Sequence, residues 1–338
     1  MSPRTTPRDL RGRPLGTLRL SVTDRCNLRC NYCMPEENYV WLPREDLLSF
    51  EELATLASHF LAAGAHKIRL TGGEPLMRRD LPDLVAKLAR LSGLEDLALT
   101  TNGVLLEEHA EALRLAGLQR ITVSLDTLDA ERFQRLARRD ELARVLAGVE
   151  AARSVGLPLK LDTVLIRGEN DAEVGELLAY AREVQAEIRF IEYMDVGGAT
   201  RWSAEKVVSQ DTLLNLVKEC GRGTPRVVLD QDPAAPARQW MMPDGQIFGI
   251  IASTTRPFCA ACDRSRITAD GRWLLCLYAE SGVDFRAAIR AGQPRTWFLE
   301  QITQIWGARD DQGAVERLAL EERRGPLLDL DELLREPH

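Results

Sequence analysis

Short apolar runs alternate with longer amphipathic stretches through the first two thirds of the chain. The runs at 18–22, 67–70, 94–99, 120–124, 159–165 and 187–193 have strand length and β-branched content. Between them, 50–63, 81–91, 105–116, 141–155 and 171–184 place apolar residues at i, i+3 and i+4, the spacing of a helix with one buried face. Ser49 ahead of Glu51-Glu52 and Asn170 ahead of Asp171 read as N-caps. Six strands alternating with helices predict a parallel sheet with right-handed crossovers, open or curled into a partial barrel.

The rhythm breaks after about residue 220. Segments 221–225 and 230–236 are rich in Gly, Pro and Asp, and short strands are expected at 227–229, 239–242 and 246–252. A hairpin is expected over 267–277 around Asp270-Gly271, then two helices near 285–291 and 295–305. The reading is therefore α/β, with a parallel sheet, open or curled into a partial barrel, over 1–220 and an α+β extension over 221–338.

In parallel α/β folds, binding residues gather where strands end. Here Cys26–Cys33, Gly72-Gly73-Glu74-Pro75, Thr100-Thr101-Asn102-Gly103 and Ser124-Leu125-Asp126 follow the first four strands, which predicts one polar rim. The opposite loops, near Gly64, Gly117 and Gly156, read as plain helix-to-strand turns. Four strands each carry one cation between apolar neighbours: Arg19, Arg69, Lys160 and Arg189. Such charges require partners. Either they pair with acids such as Asp162 or Glu192, or they face a bound anion, for which arginine forks suit phosphate. No Gly-x4-Gly-Lys-Ser/Thr loop is present, so anion binding rests on these cations.

Composition narrows the classes. The chain has 338 residues, 45% hydrophobic and 28% charged, with no apolar run of membrane-spanning length. A net charge of −7 argues against general nucleic-acid binding, and neither nucleic acid nor membrane is expected as a partner. The first residues lack the apolar core of a secretory signal, and a cytoplasmic location is expected. Seven cysteines, six of them in two triplets, suit a reducing compartment. Cys220 stands alone and reads as a packed or surface thiol.

The triplets carry the chemistry. Cys26, Cys30 and Cys33 have a Cys-x3-Cys-x2-Cys spacing, with no histidine before His59. Three thiolates on an iron–sulfur cube leave one iron open to a ligand, whereas structural zinc uses four donors. Cys259, Cys262 and Cys276 form a Cys-x2-Cys-x13-Cys set flanked by Arg264 and Arg266. On spacing alone a zinc site and a cluster both remain open there; neighbouring cations favour an anionic ligand.

The first spacing resembles the radical S-adenosylmethionine (SAM) superfamily. Together with Gly-Gly-Glu-Pro, the second triplet and Cys262-Asp-Arg-Ser-Arg-Ile-Thr-Ala-Asp-Gly271, the chain resembles the GTP 3′,8-cyclase family of molybdenum cofactor biosynthesis (the MoaA family) over residues 8–306. Long blocks at 18–26, 67–80 and 187–197 share in the match. The resemblance implies a partial (β/α)6 TIM-type barrel with a C-terminal α+β extension carrying a second cluster, two [4Fe-4S] clusters and SAM as cofactors, and GTP as substrate. SAM on the first cluster gives a 5′-deoxyadenosyl radical that takes hydrogen from the ribose C3′. The sugar radical then closes onto guanine C8, and an electron supplied near the second cluster quenches the product radical. It further implies SAM contacts at Tyr32, Gly73, Ser124 and Met194. GTP contacts are implied at Arg19, Arg69, Thr100, Lys160, Arg189, Arg264, Ser265 and Arg266. An external one-electron donor, a homodimer and delivery of the product to cyclic pyranopterin monophosphate synthase are expected as partners.

Members of the family commonly end in a Gly-Gly tail that helps orient GTP, whereas this sequence ends Leu-Leu-Arg-Glu-Pro-His338, and the stretch from Arg309 reads as acidic, helical and divergent. A radical SAM peptide-modifying oxidoreductase with an auxiliary cluster, and a zinc-stabilised binding module, are the alternatives.

Overall fold

The computed structural model describes residues 6–196, 202–229 and 231–320. Gly197 of the third matching block and the chain after residue 320 lie outside these residues.

The six expected strands are β1 (Thr17–Ser21), β2 (Lys67–Thr71), β3 (Asp96–Thr101), β4 (Arg120–Ser124), β5 (Leu159–Leu165) and β6 (Glu187–Glu192), paired in parallel and in chain order. Helices α1 (Phe50–Ala63), α2 (Leu81–Ala89), α3 (Leu106–Leu115), α4 (Ala130–Ala137), α5 (Leu142–Ser154) and α6 (Val174–Glu183) link them. Their apolar faces and the outer strand faces (Leu18, Leu20, Ile68, Leu70, Leu97, Leu99, for example) form one buried core. The fold is a partial (β/α)6 barrel.

Ser49 starts α1 with a complete capping box: its hydroxyl accepts from Glu52 N while the Glu52 carboxylate accepts from Ser49 N. Asn170 does not cap. Its buried side chain instead donates to the carbonyls of Asp126 and Val164 and accepts from Ile166 N, stitching two loops, and α6 begins only after a 3₁₀ turn at Asp171–Glu173. No helix is expected over 130–137 from the sequence, yet α4 forms there and buries Phe133, Leu136 and Ala137.

Among the described residues, the chain beyond β6 does not form a sheet of its own. It contributes α7 (Gln210–Val217), β7 (Arg226–Val227), β8 (Arg238–Met241), β9 (Ile247–Ile251), β10 (Arg264–Ile267), β11 (Arg272–Leu274), β12 (Val283–Asp284), α8 (Phe285–Arg290), α9 (Arg295–Gly307) and α10 (Gly313–Leu318). β9 adds in parallel to β6 and β10 adds in parallel to β1, so the strands join one twelve-stranded sheet ordered β12-β11-β10-β1-β2-β3-β4-β5-β6-β9-β8-β7. Because β9 and β10 point the same way on opposite edges, the chain between them must return from one rim to the other while crossing the barrel opening. That strap, residues 252–263, carries Cys259 and Cys262.

Glu192 fastens the strap. Its buried carboxylate accepts from the backbone N–H groups of Gln210, Thr254 and Thr255 and from the Thr255 hydroxyl. Beyond β10, the turn at Gly271 (φ 87°) closes the expected hairpin onto β11. Trp273 and Phe285 stack at 5.3 Å beside Phe60 and Phe298, which pins this hairpin and helices α8 and α9 against α1.

Candidate active site

The carboxyl ends of β1–β4 do converge on one rim. Gly73 N donates to Thr23 O at 2.8 Å and Glu74 N to Arg25 O at 2.7 Å, locking the glycine loop to the first cysteine loop. A Cβ on Gly73 would lie 2.4 Å from the Arg25 carbonyl oxygen, so backbone packing alone demands glycine there. Glu74 is buried and accepts from Leu76 N, Asn102 N and the Thr101 hydroxyl; burial pushes its carboxyl up to about 7 against those donors. Asn102 in turn donates to Asn27 Oδ1 at 2.7 Å and lies 3.8 Å from Cys26 Sγ. The Tyr32 hydroxyl donates to Asp126, whose carboxyl burial raises to about 6. Ser124 at the end of β4 and Met194 beyond β6 are half-buried on the same side.

Cys26, Cys30 and Cys33 are free thiols within electrostatic reach of one another. Burial first, then Cys33 and Cys26, pushes the Cys30 thiol up, while burial raises Cys33 to about 12. Holding three such neighbours as thiolates together calls for a cationic body between the sulfurs, and an iron–sulfur core would supply one. Among the described residues no three His, Cys, Asp or Glu side chains converge tightly enough for a single ion. Three free thiols on one loop are the donor set that an iron–sulfur cube takes.

The inner strand faces line a lumen below this rim, and its charges are uneven. Three cations have acids: Arg120 with Asp96, Lys160 with Glu187 at 3.0 Å, and Arg189 with Asp162 at 2.7 Å. For Lys160 and Arg189, then, the ion-pair alternative is what the structure contains. Among the described residues Arg69 is held by hydroxyls, donating to Thr100 at 2.9 Å and Thr122 at 3.2 Å, and burial with Arg189 and Arg120 nearby lowers it to about 9. Thr122 also accepts from Arg189 at 3.2 Å, so one buried hydroxyl spaces two guanidinium groups. Gly249 on β9 leaves room for that side chain: a Cβ there would meet Arg189 Cγ at 2.9 Å.

Arg19, level with Arg69 on β2 and Arg266 on β10, makes no ion pair among the described residues. Burial and then Arg266, Arg69 and Arg264 pull it well below its ordinary value. The Nε atoms of Arg19, Arg264 and Arg266 are all enclosed without a hydrogen-bond partner. Arg264 rests on the Phe258 ring at 4.4 Å.

Ser265 is set apart from its two neighbours by the strand. Strand alternation turns its hydroxyl away from Arg264 and Arg266 into the core, where it is fully buried and accepts from Trp273 Nε1. Its side chain does not face the lumen with the two arginines.

The second triplet sits beside those arginines. Cys259 and Cys262 lie on the strap, Cys276 follows β11, and Arg266 is within electrostatic reach of both Cys262 and Cys276. Burial raises the Cys262 thiol, but Arg264, Arg309 and Arg266 overcome it and bring it down to about 6. A thiol held as thiolate by surrounding guanidinium groups fits a cluster ligand. Arg309, Arg13 and Asp9 at this site escaped sequence reading; they lie outside the periodic elements and no local pattern marks them. Cys220 is exposed, its thiol donating to Leu216 O.

Comparison with known proteins agrees with this geometry. The Radical SAM superfamily model matches residues 20–181, and the Molybdenum Cofactor Synthesis C model matches residues 186–315. GTP 3′,8-cyclase 1 of Mycobacterium tuberculosis (strain CDC 1551 / Oshkosh) is 52% identical over 343 residues, covering 100% of this chain and 94% of that protein. GTP 3′,8-cyclase of Staphylococcus aureus (strain MRSA252) is 42% identical over 325 residues, covering 92% and 93%. Among solved structures, Streptococcus suis SuiB bound to S-adenosylmethionine superposes with a TM-score of 0.61 at 16% identity, covering 95% of this chain and 72% of that one, a likeness of fold. By sequence along nearly its whole length, the chain belongs to the GTP 3′,8-cyclase family of the radical SAM superfamily.

Proposed function

We infer that this chain is a radical SAM GTP 3′,8-cyclase, converting GTP to (8S)-3′,8-cyclo-7,8-dihydroguanosine 5′-triphosphate for molybdenum cofactor biosynthesis. One observation carries the substrate: Arg19, Arg69, Arg264 and Arg266 face a lumen between two thiol triplets with no carboxylate in ion-pair range among the described residues. Buried cations left unpaired are costly, and a triphosphate is the counter-charge that suits them.

Cys26, Cys30 and Cys33 would hold the first [4Fe-4S] cluster, and Cys259, Cys262 and Cys276 the second. With SAM bound, the first cluster supplies a 5′-deoxyadenosyl radical able to take the ribose C3′ hydrogen. Tyr32, Gly73, Ser124 and Met194 would seat SAM on the rim, with Asp126 fixing the Tyr32 ring. Arg19, Arg69 and Thr100 take the triphosphate, while Arg264 and Arg266 take the end of the nucleotide nearer the second triplet. Lys160 and Arg189 orient it with Glu187 and Asp162 still attached, adding direction more than net charge. Holding C3′ against the radical is the main task, since a small misplacement costs orders of magnitude in rate.

The same reading includes a cytoplasmic homodimer, an external one-electron donor, hand-over to cyclic pyranopterin monophosphate synthase, and a working division near residue 220. The test is anoxic purification, iron and sulfide analysis, then incubation with GTP, SAM and reductant followed by mass analysis. Two clusters bring about eight irons, and the cyclised nucleotide forms with 5′-deoxyadenosine. Two zinc ions, or SAM cleavage with GTP unchanged, would reject the assignment.

A further inference from the structure

The arginines around the second triplet serve two ends. Arg264 and Arg266 project from β10 into the lumen. Arg309 comes from the segment after α9, is 3% exposed, and is committed elsewhere. Its Nη1 donates to the Cys262 carbonyl at 2.8 Å, and its Nη2 lies 3.5 Å from the Cys262 sulfur. Nε donates to Asp311 Oδ2 at 3.0 Å, Asp9 Oδ2 lies 3.5 Å from Nη1, and the guanidinium packs 4.5 Å from the Trp306 ring centroid. Asp9 also binds Arg13 Nε at 2.5 Å, and Arg13 Nη1 donates to the Cys259 carbonyl at 2.9 Å. One buried carboxylate near the amino terminus thus fixes two arginines. Each holds the backbone of one strap cysteine, and Arg309 also reaches a sulfur.

We propose that Arg309 is a positioning residue that sets the reduction potential of the second cluster by donating to the Cys262 thiolate. This rests on reading Cys259, Cys262 and Cys276 as cluster ligands. Hydrogen bonds and fixed charge at cluster sulfurs are principal determinants of potential. Reduction adds negative charge to the cluster, and an adjacent cation stabilises the more negative form. Burial leaves that charge largely unscreened by salt. Asp9 and Asp311 temper the net charge but hold the fork in place, so the donor to sulfur is fixed before any substrate arrives.

The experiment uses the full chain with Cys26, Cys30 and Cys33 all changed to Ala, so that only the second site can hold a cluster. Iron and sulfide content, the electron paramagnetic resonance spectrum of the reduced state and the midpoint potential are measured for this parent, for Arg309→Gln and for Arg309→Lys. The expected result is about four irons in all three, a changed spectrum and a more negative midpoint for Gln, and a partial return toward the parent for Lys. An unmoved midpoint in a Gln variant that keeps its iron overturns the role of Arg309. Loss of iron from both variants overturns it too, because the residue then serves only the fold. A parent without a cluster rejects the assignment of the second triplet itself, which is a separate failure.

Discussion

Changing Arg19 to Met is expected to move stability and substrate affinity in opposite directions. Arg19 extends from β1 into the lumen beside Arg69 and Arg266, its Nε is enclosed without a partner, and burial and then its cationic neighbours hold it well below its ordinary value. Without a polyanion, this charge works against the fold. Methionine preserves much of the apolar stem and removes the charge. Replacing buried ionic groups by apolar residues of similar volume gains about 1–4 kcal/mol. Arg19 keeps some exposure and so is partly screened, and the lower end, about 1–2 kcal/mol, is expected here. At roughly 2–4 °C per kcal/mol for a large domain, the ligand-free variant melts a few degrees higher.

Binding falls in compensation. A charge-assisted hydrogen bond to phosphate is worth about 1.5–3 kcal/mol, so GTP affinity drops roughly 10- to 150-fold. Arg69 and Arg266 remain to hold the nucleotide, and cyclisation at saturating GTP persists with a raised KM. The assays are thermal unfolding of ligand-free protein, equilibrium GTP binding without oxygen, and SAM cleavage in the absence of GTP, which is expected to stay unchanged. A lower melting temperature together with GTP affinity within threefold of wild type would refute the reasoning, because Arg19 would then be a satisfied structural cation.

Arg266→Ala impairs GTP cyclisation but spares uncoupled SAM cleavage, compared by counting cyclised nucleotide and 5′-deoxyadenosine from one reaction; equal loss of both would sink its placement on the nucleotide. Glu74 is nearly fully buried and its carboxyl is raised to about 7, so ionising it costs stability: its contribution is fullest below its ordinary value of 4.5 and is lost as pH rises through about 7. Glu74→Gln removes that slope, and the stability difference between wild type and variant changes by up to ~3 kcal/mol between pH 5 and 8 in denaturant titrations; a constant difference contradicts the buried-acid reading. Glu192→Gln turns an amide toward N–H donors that the carboxylate now satisfies, and costs about 3–5 kcal/mol with faster hydrogen exchange at Thr254 and Thr255. A change under about 1 kcal/mol would show that the strap is anchored by other contacts.

The barrel was legible because its signals are local. Parallel strands buried on the helix side and helices with one apolar face repeat every few residues, and the bounds of β4, β5 and α1 match those read from periodicity. The cysteine spacings needed no fold to be seen. Lone cations within apolar strands pointed to the lumen correctly, but not to who neutralises them. Lys160 meets Glu187 and Arg189 meets Asp162 across neighbouring strands, and cross-strand partners depend on register, which one strand's sequence does not contain. Ser265 shows what a run of consecutive residues hides. Three consecutive residues were assigned to one ligand, although the apolar Ile267 and the turn after it mark a strand whose alternation must send the middle side chain the other way.

The extension was hardest for a physical reason. A strand as short as β9 or β10 reveals that it will pair but not with which edge, because that choice is made by contacts far away in sequence. Yet this choice builds the second site. Only because β9 joins β6 while β10 joins β1 does the strap cross the opening, and only then do Cys259 and Cys262 come under Arg13 and Arg309 from opposite ends of the chain. The first triplet, by contrast, sits in one loop clamped by the two loops that follow β2 and β3. Weakening the pairing of β9 with β6 should therefore disturb the second site and leave the first standing. The asymmetry follows from contact range: the first site is assembled by neighbours in sequence, the second by closure of the whole sheet.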